Sequence, residues 1–318
     1  MKNPGNNKFN YSKQIILLII LFLIYSCNMK KKEKVLSFKD YPDLKLGFST
    51  QNFLQSMPLS VENIEEIIKY AANEGYSFIE LRDSKAELLF EECKRLAEIA
   101  DSNDIEVIYE INTNLLAPDF MSVFKKGLEN TAAFPRPGII RTIISTTEFT
   151  ADENKKGWTA QELNRLVELA DSCGKLARAQ NLRFILENAN EAFFGKDSLY
   201  FGFTDFFDRT KNIGLQFDTA NPFQNASRAK SDPAEVEKYL ASIADRWVTT
   251  HLKSGKDGTF QPVLADNPLD LGKVLSLMSS NDVIYVAFEL AGVPDKQECF
   301  DNHSKSIEYL VEKGLMEK

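Results

Sequence analysis

The chain has 318 residues, with 38 Lys and Arg against 46 Asp and Glu, and a formal charge of −8 at pH 7. Such a field repels polyanions and excludes nucleic acid as a partner, since that binding needs phosphates neutralised by basic side chains. A hydrophobic content of 43% with 23 Phe supplies a large packed core and excludes disordered, collagen-like and disulfide-scaffold chains.

At the N-terminus, Lys2, Lys8 and Lys13 precede an apolar run from Ile15 to Tyr25 that ends at Ser26 and Cys27. A basic segment, an apolar stretch too short to span a bilayer, and then small residues have the form of a bacterial export signal over residues 1–26. Its removal takes three lysines and no acid from the charge of −8, leaving 292 residues at −11. Leu23-Ile24-Tyr25-Ser26-Cys27 resembles a lipobox, which implies lipidation of Cys27 and a protein exported and anchored to a bacterial membrane through that lipid. Residues 27–43, with Lys30, Lys31, Lys32 and Lys34, read as a solvated tether.

From Leu44 to Lys318 the sequence alternates between two periods. Short β-rich runs centre on Phe48, Phe78, Val107, Ile140, Ile185, Phe217, Thr249 and Val286. Helical patterns lie between them: Val61 to Glu74, Lys85 to Asn103, Pro233 to Asp245, Asp270 to Ser280 and Lys296 to Lys313. The clearest puts Leu163, Leu166, Leu169, Ala170, Cys173, Leu176 and Ala177 on one helix face. Eight strands each followed by a helix, over the 275 residues from Leu44, predict an α/β fold, a single-domain (β/α)8 TIM barrel. A doubly wound open sheet competes, but it favours a Gly-rich first turn, and this chain reads Ser49-Thr50-Gln51-Asn52 there. Cys93, Cys173 and Cys299, odd in number and within helical patterns, read as core thiols.

In a barrel, chemistry gathers at the C-terminal ends of the strands. The fifth run ends in Glu187-Asn188-Ala189-Asn190, the sixth in Asp218-Thr219-Ala220-Asn221, the seventh in His251-Leu252-Lys253 and the eighth in Glu289-Leu290. A single acid at a strand end is usually a helix cap or surface charge, and a lone histidine is usually structural. Four successive strands ending in such groups instead describe a site for one divalent cation. Crowded carboxylates raise one another's pKa values, and a cation removes that conflict. Mixed oxygen and nitrogen ligation suits Mn²⁺, Co²⁺ or Zn²⁺, and Mg²⁺ is compatible.

The Glu of the fifth run, the Asp of Phe217-Asp218-Thr219, the His of His251-Leu252-Lys253 and the Glu of the eighth run resemble the xylose isomerase-like TIM-barrel superfamily. Its members include sugar phosphate isomerases/epimerases, ketose 3-epimerases, inosose dehydratases and apurinic endonucleases. The resemblance also covers Leu46-Gly47-Phe48-Ser49 and the stretch from Gly75 to Arg82. It implies that Glu187, Asp218, His251 and Glu289 are the metal ligands. It also implies that Glu187 and Glu289 act as acid and base on opposite faces of the substrate. Asn221 stands where the ketose 3-epimerases carry a substrate-contacting His, and Asp257 where they carry an Arg. Ser254 stands where other branches have an Asp that recruits a second metal. These departures point to a single ion and away from a free-ketose 3-epimerase.

A proton beside a carbonyl is hard to remove at neutral pH unless the developing enolate charge is stabilised, as a chelated cation does. One carboxylate then takes the proton and another returns one to the opposite face or the neighbouring carbon. The expected function is a metal-dependent sugar or polyol isomerase/epimerase. Loss of a β-hydroxyl would instead make it a lyase, hydratase or dehydratase on a keto sugar, 3-keto-glycoside or inosose. The alternative of another class is a non-catalytic surface carbohydrate-binding lipoprotein. Lys253, returned by strand alternation to the face of His251, joins Asn221, Asn190 and Glu80 as the expected substrate-binding residues. A salt bridge between Lys253 and Glu80 is an equal alternative. Phe193, Phe194 and Phe223 offer either an aromatic wall or core packing. Trp158 and Trp247 read as packing residues, and His303 as a surface residue of the last helix.

Overall fold

Each of the eight β-rich runs forms a strand: β1 (Lys45–Ser49), β2 (Phe78–Arg82), β3 (Glu106–Glu110), β4 (Ile139–Ile144), β5 (Arg183–Asn188), β6 (Gly214–Asp218), β7 (Trp247–Leu252) and β8 (Tyr285–Phe288). The strands pair in chain order, all parallel, and β8 closes onto β1 to complete a barrel. The structure is a computed structural model that describes residues 35–317 except 145–156, 190–193, 195–198, 225–230 and 282. Cys27 and the export segment lie outside the described residues, as do Asn190 and Phe193.

The helices are α1 (Val61–Glu74), α2 (Phe90–Ser102), α3 (Phe120–Thr131), α4 (Ala160–Arg178), α5 (Phe203–Arg209), α6 (Pro233–Ser242), α7 (Leu271–Ser279) and α8 (Lys296–Glu312). Their ends are written in the sequence. Ser60 caps α1 by accepting from the Asn63 N–H, and Gly75 stops it in the left-handed region at φ 87. Thr159 and Glu162 form a reciprocal capping box at the start of α4. The main departure is α2, whose pattern runs from Lys85 but whose helix starts at Phe90. The Asp83 carboxylate accepts from the backbone N–H groups of Glu87 (2.6 Å) and Leu88 (2.9 Å), holding Lys85 to Leu89 in a turn that competes with helix. No helix among the described residues is long and apolar enough to cross a membrane.

Two regions pack differently from expectation. The stretch 35–43, expected to be tether, belongs to the packed unit: Leu36 and Phe38 are buried. The Leu36 N–H donates to the Gly75 carbonyl, and Phe38 pairs with Met316 near the C-terminus. The apolar side chains of Leu36 and Phe38 explain this, since burying them is favourable. His303 is not a surface residue but is 1% exposed. The face of α8 that carries Cys299, Asn302, His303 and Ser306 turns inward onto β1 and the segment after it. Cys93, Cys173 and Cys299 are buried free thiols, as expected, and Trp158 and Trp247 are buried in the core.

Alternation along the strands sorts the barrel interior into layers. Phe78, Ile108, Ile139, Ile185, Val248, Tyr285 and Ala287 form an apolar cluster separate from the larger core under the helices. A Cβ at Gly47 would overlap the carbonyl and ring of Phe78, so glycine there lets that ring fill the floor. Two residues further along each strand the interior becomes charged or polar: Glu80, Glu110, Arg141, Glu187 and, after Ala287, Glu289. Register aligns Arg82 with Glu110, Glu110 with Arg141, Glu187 with Gln216, and Asp218 with His251.

Candidate metal centre

Glu187 on β5, Asp218 closing β6, His251 on β7 and Glu289 just past β8 each offer one ligand atom, and these atoms lie within 4.8 Å of one another. All four residues are buried. His251 Nδ1 faces three carboxylate oxygens: Glu187 Oε1 at 3.2 Å, Glu289 Oε2 at 3.6 Å and Asp218 Oδ2 at 3.8 Å. Its other nitrogen, Nε2, lies 2.6 Å from Glu80 Oε2. A proton on Nε2 shared with Glu80 leaves the Nδ1 lone pair aimed among the carboxylates, the arrangement in which a carboxylate orients a metal-binding histidine.

Asp218 divides its two oxygens between structure and site. Oδ1 accepts from the N–H groups of Ala220 (2.8 Å) and Asn221 (2.7 Å), which fixes the turn after β6. Oδ2 is buried and makes no hydrogen bond; it faces the Lys253 ammonium at 3.4 Å and His251 Nδ1 at 3.8 Å, which leaves it able to ligate a cation. Asn188 holds the Asp218 backbone at two points, accepting from its N–H at 2.9 Å and donating to its carbonyl at 3.2 Å. Asn221 donates to Glu187 Oε1 at 3.3 Å and to the Asn188 carbonyl at 2.9 Å, and accepts from Lys253 Nζ at 3.0 Å.

Sequence reasoning missed Arg141. It is fully buried on β4, with Nη2 2.6 Å from Glu187 Oε2, Nη1 3.0 Å from Glu110 Oε1, and Nε donating to Gln216 Oε1 at 2.5 Å. Gln216 Nε2 in turn donates to Glu80 Oε1 at 2.6 Å, closing a path from Arg141 through Glu80 to His251. The signal was a single arginine inside Ile139-Ile140-Arg141-Thr142-Ile143-Ile144, since an arginine in the middle of a buried apolar strand must have partners. Glu80, expected among the substrate-binding residues, is fully buried, with one oxygen engaged by Gln216 and the other by His251. Lys253 pairs not with Glu80 but with Glu289 Oε2 at 2.7 Å and Asp218 Oδ2 at 3.4 Å, and its ammonium sits 4.2 Å from the centre of the Phe260 ring. Phe194 packs on Phe203 and Phe217 and Phe223 is buried, so among the described residues the aromatic face beside the ligands is Phe260.

Charge in this layer does not balance. Among the described residues, five carboxylates, Glu80, Glu110, Glu187, Asp218 and Glu289, meet three fixed cations, Arg82, Arg141 and Lys253. With His251 neutral the sum is −2, the charge that one divalent ion neutralises, and the donor set fits such an ion. Protons answer the same deficit otherwise. Burial opposes a charged His251, but Glu80, Glu289 and Glu187 outweigh it and hold the imidazole pKa well above its ordinary value. Burial likewise pushes Glu110 up against the pull of Arg141 and Arg82. Glu289 goes the other way: burial would raise it, yet Lys253, His251 and Arg141 hold it well below the usual carboxylate range.

The sequence matches no protein-family model and no curated protein. Solved structures do match the fold. A D-allulose 3-epimerase from Methylomonas sp. has a TM-score of 0.61 at 14% identity, over 85% of this chain and 98% of that one. A sugar phosphate isomerase/epimerase from Parabacteroides distasonis gives 0.58 at 15%, over 84% and 98%. A 3-keto-D-glucoside 4-epimerase from E. coli gives 0.57 at 13%, over 84% and 98%. At these identities the likeness establishes a shared (β/α)8 barrel.

Proposed function

We propose that this chain is a divalent-metal-dependent isomerase or epimerase that moves a proton beside the carbonyl of a sugar or polyol-derived ketone. The observation that carries the proposal is the convergence of Glu187, Asp218, His251 and Glu289 in a buried layer whose formal balance, over the described residues, is −2. The solved structures that share the barrel include proteins named as epimerases of D-allulose and of a 3-keto-D-glucoside, which supports the same class of substrate. A bound Mn²⁺, Co²⁺, Zn²⁺ or Mg²⁺ would supply Lewis-acid stabilisation of negative charge developing on the substrate oxygen.

The chain's own residues supply the proton traffic. Glu187 and Glu289 approach the site from strands β5 and β8, each oriented by a different cation, Arg141 at 2.6 Å and Lys253 at 2.7 Å. Entry from two different strands suits one carboxylate taking the proton and the other returning it. Burial opposes the Lys253 ammonium, but Asp218, Glu289 and Glu187 outweigh burial and keep it charged, so Lys253 serves as a donor to a developing oxyanion and not as the base. Asn221 holds Glu187 and the Lys253 ammonium in place, and the Phe260 ring beside that ammonium offers a surface for a sugar's C–H groups. An ammonium beside Glu289 also suits protonation of a departing hydroxyl, which favours elimination on a keto-glycoside as the second outcome. Export and lipid anchoring at Cys27 belong to the same proposal, with substrate met outside the cytoplasm.

The test is incubation of the metal-loaded protein with keto sugars, inososes and 3-keto-glycosides in deuterated water, followed by NMR. Deuterium at the carbon next to the carbonyl is the expected result, and a new alkene signal would move the assignment to elimination. Protein that holds no metal and exchanges no substrate proton would sink the enzyme reading. Within an active preparation, Glu289→Gln should lower turnover by about 10²–10⁴-fold, the usual worth of a positioned acid or base. Full activity in that variant would remove Glu289 from the role.

A further inference from the structure

Glu289 stands where the barrel wall runs out. Pairing between β1 and β8 ends at Phe48 with Phe288, because the chain after Ser49 turns into a short 3-10 helix, Thr50–Phe53. The backbone on both sides of Glu289 is held instead by one side chain from that turn. Asn52 Nδ2 donates to the Phe288 carbonyl at 3.1 Å, and Asn52 Oδ1 accepts from the Leu290 N–H at 2.8 Å. The amide thus does for residues 288 and 290 what a neighbouring strand would have done, and it leaves the residue between them facing the ligand set.

The clamp is itself oriented from α8. A carbonyl can only accept and an N–H can only donate, so the Phe288 and Leu290 contacts fix which end of the Asn52 amide is which. The second Nδ2 hydrogen then points at His303 Nε2, 3.0 Å away, which must accept it. The His303 proton is therefore on Nδ1, where it meets the Tyr76 hydroxyl at 3.2 Å. Asn52, His303 and Tyr76 are all buried, so none of these bonds trades with solvent.

We infer that Asn52, locked by His303, is a positioning residue for Glu289: it sets the backbone from which the Glu289 carboxylate reaches the metal ligands. The inference rests on the proposed metal role of Glu289. Neither residue touches the other ligands, so its effect is confined to the β8 side of the site.

Mn²⁺ is titrated by calorimetry into the purified protein and into Asn52→Ala, Asn52→Asp, His303→Gln and His303→Leu, with thermal unfolding of each metal-free sample recorded alongside. Affinity is measured well below every unfolding midpoint, so that loss of fold does not enter. Loss of an outer partner of a ligand ordinarily weakens metal binding about 10–100-fold, and both Asn52 variants are expected in that range. His303→Gln, which keeps an acceptor for the Asn52 amide, should bind more tightly than His303→Leu. Asn52→Ala binding Mn²⁺ as tightly as the unaltered protein would overturn the inference. Should the Asn52 variants not fold, equal affinity in the two His303 variants would overturn it instead. An unaltered protein that binds no Mn²⁺ would bring down the metal centre itself and this inference with it.

Discussion

The chain's two histidines sit on opposite sides of the barrel wall and are driven in opposite directions. His251 points inward among Glu80, Glu187, Asp218 and Glu289, and those carboxylates carry its pKa well above the ordinary value despite complete burial. His303 lies outside the wall, edge-on to Phe48 and against Phe53, with only neutral partners, and burial lowers its pKa to about 3. Both are buried, so burial alone decides nothing. What differs is that the inner ring faces carboxylates, while the hydrogen-bond partners of the outer one, Asn52 and Tyr76, are neutral. The inner histidine is thereby held in a layer that favours positive charge, and the outer one is a fixed neutral hydrogen-bonding joint.

The strongest way to break this contrast is to remove the inner layer's central cation. Arg141→Met takes the guanidinium from the buried Glu110 and Glu187, and breaking a buried pair from one side costs about 3–5 kcal/mol. Chemical denaturation of the metal-free protein measures it. A loss below about 1 kcal/mol would mean that the layer relaxes or hydrates easily, and that the charge deficit around His251 is not a fixed property of the fold.

The outer histidine makes a prediction of different shape. Its titratable neighbours on the packed elements are Tyr76 and Tyr70, and burial raises both so that they stay neutral in acid and at pH 7. A pKa depressed in the folded state means that the unfolded chain binds the proton first. The stabilising effect of a neutral His303 is therefore complete above about pH 6.5 and is lost as pH falls toward about 3. The slope reaches about 1.4 kcal/mol per pH unit, so roughly 2 kcal/mol goes between pH 6.5 and 5. Unfolding midpoints of the unaltered protein and His303→Gln, compared across that interval, should converge as pH drops. Parallel curves would show that His303 takes up its proton in the folded state.

Much of this was legible in the residues alone. Eight β-rich runs with capped helices between them dictate the barrel, because the helix starts at Ser60 and Thr159 and the stop at Gly75 carry their own chemistry. The four strand-end groups also announced themselves, since ionisable residues at successive strand ends are hard to explain otherwise. What stayed hidden depends on partners far apart in sequence. Arg141 looks like an interruption until β4 is set beside Glu110 and Glu187. His303 looks like a helix-surface residue until α8 is laid against Asn52, 251 positions away. Phe38 looked like tether for the same reason, its partner Met316 being at the other end of the chain.

The smallest expected effect separates the joint from the clamp it supports. Tyr76→Phe removes only the acceptor for the His303 Nδ1 proton and leaves the Nε2 contact to Asn52 in place. One buried hydrogen bond is worth about 1 kcal/mol, so stability should fall by that amount. Mn²⁺ affinity should not change, because the amide that holds residues 288 and 290 keeps all three of its bonds. If affinity falls along with stability, the tautomer of His303 is set by Tyr76 and not by the Asn52 amide. In that case the ring flips its proton to Nε2 once the hydroxyl is gone, and the order of control runs from β2's leading residues inward instead of from the barrel mouth outward.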